Sequence, residues 1–272
     1  MLSQRVKAAL VFVPLTLILI YIGGWPFNLF ITGVLLFAAY EFTRLFQRMG
    51  YHPSFLITAF GVLLIIIQRW FFEYRHLSFF LTLFLFIMIV SSLIEFERGK
   101  IDSAISFVIN LMIAFYLGWV GSHFILIRDL PEGLGWLLTA LAATWLADAG
   151  AYTIGRQLGK GKMTPHLSPN KTWAGLRGGT ITGTLSGLLL VLLWRSVGLL
   201  SPNTPIWQGL VMGFVVSILT PVGDLFISLF KRTADVKDTG SLIPGHGGIL
   251  DRIDTWIWAA MLGYYLVLVF VY

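Results

Sequence analysis

Residues 76–94 read HLSFFLTLFLFIMIVSSLI, nineteen positions without one Asp, Glu, Lys or Arg. As a helix rising 1.5 Å per residue this stretch is roughly 28 Å long, close to the ~30 Å of hydrocarbon in a bilayer. An extended strand would leave its backbone groups unpaired in lipid, so the stretch is read as a transmembrane helix. The pattern recurs from one end of the chain to the other. Spans are expected near Val6–Ile22, Trp25–Phe42, Pro53–Phe72, Ser103–Ile127, Leu134–Ile154, Leu176–Val197, Trp207–Phe230 and Ile253–Tyr272, about nine transmembrane helices in all. Composition agrees: of 272 residues 57% are hydrophobic and 12% charged, against roughly 25% charged in soluble domains. The expected fold is an all-α polytopic membrane protein. Arg5 and Lys7 precede the first apolar run as in a signal peptide, but Gly23, Gly24, Trp25 and Pro26 follow it without a small-residue cleavage pattern, so an uncleaved span is expected.

The connections test this count, because Lys and Arg accumulate in cytosolic loops. Arg5, Lys7, Arg44, Arg48, Arg98, Lys100, Arg156, Lys160, Lys162, Lys171, Arg177, Lys231, Arg232, Lys237 and Arg252 fall on one side, and Arg69, Arg75, Arg128 and Arg195 on the other. Fifteen of the 19 basic residues thus mark the cytosol, which puts the N-terminus inside and the C-terminus outside. The same segregation accounts for the net charge of +6, so no nucleic-acid partner is expected. With no cysteine in the chain, disulfides, thiolate ligands and a cysteine nucleophile are excluded. Residues 1–130 carry no chemical motif. Glu41, Glu95 and Glu97 stand at span ends beside basic residues and read as interfacial. Residues 131–272 hold two long polar cytosolic connections, 156–176 and 231–252, and loops of that length are usually functional or disordered.

Ionisable groups within or at the edge of spans are costly and usually face a polar cavity. Asp148 and Asp224 lie about 10 Å from the inner ends of their spans at 1.5 Å per residue, while Asp251 and Asp254 open the last span from that same side. Clustered carboxylates need cations, and all-oxygen ligands suit Mg²⁺ or Mn²⁺. The competing reading pairs each aspartate with a nearby Lys or Arg. Pro221 and Gly223, just ahead of Asp224, predict a kinked or broken helix. Glycines 245, 247 and 248 let backbone N–H groups converge on an anion among lysines and arginines.

Taken in order, Ser228, Lys231-Arg232, Lys237-Asp238, Pro244-Gly245-His246-Gly247-Gly248 and Asp251-Arg252-Ile253-Asp254 resemble the signature of the phosphatidate cytidylyltransferases, or CDP-diglyceride synthases. The segment Ser168-Pro169-Asn170-Lys171-Thr172 is similar to that family's second motif, with one departure: Ala174 stands where the family usually has glutamate. The resemblance implies transfer of CMP from CTP to phosphatidate, giving CDP-diacylglycerol and pyrophosphate. It implies one or more divalent cations at Asp224, Asp251, Asp254 and Asp148, and phosphate contacts from Lys171, Lys231, Arg232, Lys237 and Arg252. Asp238 and His246 join the catalytic set, His246 as a hydrogen-bonding group. Ser168, Asn170, Thr172, Ser228, Gly245, Gly247 and Gly248 are expected to line the substrate site, the glycines cradling CTP. The expected partners are CTP, phosphatidate and membrane lipids, with a second copy of the chain as a further candidate. The expected place is the inner membrane of a bacterium, with the site facing the cytosol. A related enzyme acting on an archaeal ether lipid and an ion-coupled transporter are the alternatives; a transporter's site would sit near the bilayer midplane.

Overall fold

Long apolar runs dictate helix, and helix is what the computed structural model contains almost throughout. It describes residues 2–72, 76–240 and 247–271, the side chains of 2–9, 11 and 72 apart. Among the described residues seven helices are long and apolar enough to cross a membrane, and two shorter apolar helices, Phe12–Ile22 and Phe55–Phe71, accompany them. The chain is an all-α polytopic membrane protein.

By contact the chain divides into two units. The first comprises residues 1–19, 25–122 and 230–251. It contains most of α1 (Leu2–Ile22), then α2 (Gly24–Arg48), α3 (Phe55–Phe72), α4 (Leu77–Glu97) and α5 (Ser103–Ile113), followed by a π-helical stretch, Ala114–Val120. Leu64, Phe84, Met88 and Ala114 form a buried cluster joining α3, α4 and this stretch. Between α4 and α5, Asp102 accepts bonds from the His52 N–H (2.8 Å) and the Ser106 hydroxyl (3.1 Å). Burial pushes its carboxyl up, but these bonds together with the His52 ring hold it below the usual carboxylate value. Two differences from expectation appear here. The fifth span continues past Ile113 as a π-helix, Ala114–Val120, in which the backbone at Gly118 comes close to Val62 and Ile65 of α3. Helix α2 was expected to end near Phe42, yet it runs on to Arg48, placing Glu41 nearly two turns inside its end.

The second unit comprises residues 20–24, 123–229 and 252–272. Its elements are α6 (His123–Asp129), α7 (Gly133–Leu158), strands β1 (Lys162–Thr164) and β2 (Ser168–Thr172), α8 (Trp173–Ser196), α9 (Ile206–Leu219), the start of α10 (Pro221–Thr233) and most of α11 (Leu250–Val271). Helix α8 lies along both α7 and α9. Small residues permit this: a Cβ on Gly187 would run into the Gly209 carbonyl and come within 2.9 Å of the Gly213 backbone. Van der Waals packing of small residues is the main source of helix association in lipid. The eighth span is broken at Thr220, as Pro221 anticipates, and proline begins a new helix where its missing N–H is not needed. The connection after α7 is ordered as an antiparallel hairpin pairing Lys162 with Thr172 and Thr164 with Ser168.

Candidate active site

In the second unit the hairpin delivers Lys171 to the start of α10. Thr172 ends β2 in extended conformation and caps α8, its Oγ1 accepting from the Gly175 N–H at 3.0 Å. That cap fixes the neighbouring residue, and Lys171 Nζ lies 2.7 Å from Asp224 Oδ2 while donating to the Pro221 carbonyl at 3.3 Å. Ser228, one turn further along α10, donates to Asp224 Oδ1 at 3.4 Å. Asp148 of α7 is within electrostatic range of both Lys171 and Asp224. Two segments separated by some fifty residues therefore meet, with one lysine and two carboxylates together. Asp224 also stands in the first turn of α10, where the helix dipole favours a negative charge. Ser168 is half-buried and Asn170 exposed on the hairpin. Asp254 is buried, with Oδ1 accepting from the Thr255 N–H at 2.8 Å, and Arg252 is exposed.

The first unit holds a second set. Lys231 Nζ lies 2.7 Å from Asp251 Oδ1, and both side chains are nearly buried, 11% and 7% exposed. Asp251 Oδ2 accepts from the Thr239 N–H (2.8 Å), the Thr239 hydroxyl (3.0 Å) and the Gly248 N–H (3.1 Å). Gly247 lies beside this carboxylate at φ +79°, a left-handed conformation that favours glycine. Arg232, Lys237 and Asp238 are exposed. Gly245 and His246 lie outside the described residues.

Sequence reasoning missed two members of this set. Glu41 is 5% exposed, and its Oε2 accepts from the Thr239 hydroxyl at 3.1 Å and the Leu250 N–H at 2.9 Å. Thr239 is likewise buried between Glu41 and Asp251. The available signal was depth, since Glu41 stands seven residues before Arg48, much as Asp148 and Asp224 stand six before the expected span ends at Ile154 and Phe230. Arg44 and Arg48 nearby made the interfacial reading attractive. Glu95 pairs with Lys100 at 2.9 Å.

The residues can be tested for a divalent cation. Among the described residues no three His, Asp or Glu side chains converge as a cage. Mg²⁺ at nucleotides commonly uses only one or two carboxylates, the phosphates and water completing its shell. Asp224 suits that mode: its side chain is 30% exposed and Asp148 is in electrostatic range. Asp251, with donors on both oxygens, has far less to offer.

The cytidylyltransferase family model matches residues 3–270. The chain is 30% identical over 272 residues to the phosphatidate cytidylyltransferase of Bacillus subtilis, covering 98% of each. It is 33% identical to that of Brucella suis, over 97% of this chain and 92% of the relative. With that of Synechocystis it shares 29% identity, over 97% and 96%. The chain belongs to the cytidylyltransferase family.

Proposed function

We propose that this protein transfers CMP from CTP to phosphatidate, forming CDP-diacylglycerol and releasing pyrophosphate. The observation that carries the reading is the meeting of Lys171 with Asp224 and Ser228, which joins two family-like segments in one place. An oxygen of the phosphatidate phosphate attacks the α-phosphorus of CTP, and the bond to the β-phosphate oxygen breaks. With a second pKa near 6, a phosphate monoester is already ionised at neutral pH and needs little help from a base. The obstacle is electrostatic, since two polyanions must approach while charge builds on pyrophosphate, and cationic groups aimed at phosphate oxygens answer it. In the second unit Lys171 suits this role, whereas Lys231 of the first unit is engaged with Asp251. Arg232, Lys237 and Arg252 are exposed cations whose chemistry suits phosphates. Mg²⁺, held by Asp224 with Asp148 near it, would neutralise phosphate charge further.

Phosphatidate is supported by an open groove of about 470 Å³ lined by Trp173, Leu176, Arg177, Thr180, Ile181 and Ile218. Its apolar walls suit acyl chains and Arg177 suits a phosphate. The cytosolic placement rests on the basic loops, and the bacterial inner membrane on the bacterial relatives.

The test is a CMP-transfer assay on purified full-length protein with labelled CTP, Mg²⁺ and either phosphatidate or an archaeal-type ether lipid. CDP-diacylglycerol and pyrophosphate are expected in equal amounts. Lys171→Ala should lower turnover by about tenfold or more, and Ala174→Glu by much less. Absence of transfer to phosphatidate, or preference for the ether lipid, would overturn the reading.

A further inference from the structure

We infer that Glu41 is a positioning residue for nucleotide binding, an anchor in α2 that holds Thr239 and the start of α11 at Leu250 in place. The inference rests on the reading above for the identity of the nucleotide, CTP; the anchoring itself rests on geometry. A carboxylate well inside a membrane helix is costly unless something compensates it. Glu41 finds its partners 198 and 209 residues away, the Thr239 hydroxyl and the Leu250 N–H. Leu250 is the first residue of α11, whose leading N–H groups have no partner within their own helix. Glu41 thus caps α11 from another element, adding a negative charge at the positive end of the helix.

Thr239 and Leu250 are held at once. Thr239 gives its hydroxyl to a position shared by Glu41 and Asp251, and its N–H to Asp251. The backbone closes around the carboxylate: a Cβ on Gly240 would strike Glu41 Oε1, and one on Gly248 would strike Thr239 Oγ1 and Glu41 Oε2. One turn away on α2, Phe42 and Phe46 pack on Phe230 at ring-centroid distances of 5.1 and 5.2 Å. Helix α2 therefore supports α10 at Phe230 and α11 at Leu250. Glu41 packs against Gly248 of the glycine turn and fixes Thr239 and Leu250, which adjoin Asp238 and Asp251. It acts through the loop.

The experiment compares Glu41→Ala, Glu41→Gln, Gly240→Ala and the wild type as purified full-length proteins. The readouts are hydrogen exchange of peptides covering 239–250 and steady-state kinetics in CTP and in phosphatidate. Glu41→Ala should speed exchange in those peptides alone and raise KM for CTP about tenfold, leaving KM for phosphatidate within about twofold. Glu41→Gln, whose amide oxygen still accepts from Leu250, should recover most of the CTP affinity. Gly240→Ala disturbs the anchor from the loop side, leaving α2 intact, and should raise KM for CTP if Glu41→Ala proves too unstable to purify. Unchanged exchange in 239–250, or unchanged KM for CTP in both Glu41→Ala and Gly240→Ala, would overturn the inference. Faster exchange in a wild-type background that transfers no CMP would instead count against the CTP reading and leave the anchor standing.

Discussion

Lys171–Asp224 and Lys231–Asp251 share a length of 2.7 Å but not an environment. Side chains in the first pair are 24% and 30% exposed, in the second 11% and 7%. An accessible ion pair contributes about 0–1 kcal/mol, whereas removing one partner of a buried pair costs about 3–5 kcal/mol because the other charge is stranded. Asp251→Asn should therefore lower thermal stability in detergent by roughly that larger amount, its amide facing Lys231 or the N–H groups of Thr239 and Gly248. Asp224→Asn should melt close to wild type, while losing about tenfold or more in turnover and shifting its dependence on Mg²⁺. Equal losses of stability in the two variants, or full activity with unchanged Mg²⁺ dependence in Asp224→Asn, would contradict this division of roles.

At the scale of elements, the glycines facing one another on α8 and α9 are the constraint most sensitive to substitution. Gly187→Val should prevent α8 and α9 from meeting, seen as loss of monodisperse protein on extraction. Gly33→Ala, with nothing within 4 Å of the new carbon, should behave as wild type. A stable Gly187→Val protein would show that the close approach is dispensable. These elements also show what was legible beforehand. Spans could be read because charge-free runs of nineteen residues have one stable form in lipid, and Pro221 announced the break at Thr220 because it cannot donate within a helix. The hairpin at 162–172 could not, since its strands are short and polar, with Pro165 between them and Pro169 within the second. The motif residues were found by order and spacing. Glu41 escaped because its partners are distant in sequence, and no local pattern encodes a bond across two hundred residues.

For the whole molecule, the segregation of fifteen basic residues from four predicts a cytosolic N-terminus and an external C-terminus. Reporter fusions at the two ends should report opposite compartments; the same compartment at both would require a different number of crossings. The membrane setting also bears on biogenesis through Glu41. Its partner at Leu250 is 209 residues further along the chain, and at roughly 5–20 residues per second a ribosome needs about 10–40 s to make that interval. Throughout that time α2 sits in the translocation machinery or the bilayer with a carboxylate whose partners have not been synthesised. A nascent chain stalled before residue 239 has neither of them, whereas one carried past 250 can bring both donors to Oε2. Completion of the C-terminal third is thus also the moment at which an early helix becomes comfortable in lipid, and quality control acting on exposed intramembrane charge would monitor the end of synthesis through a residue made near its beginning.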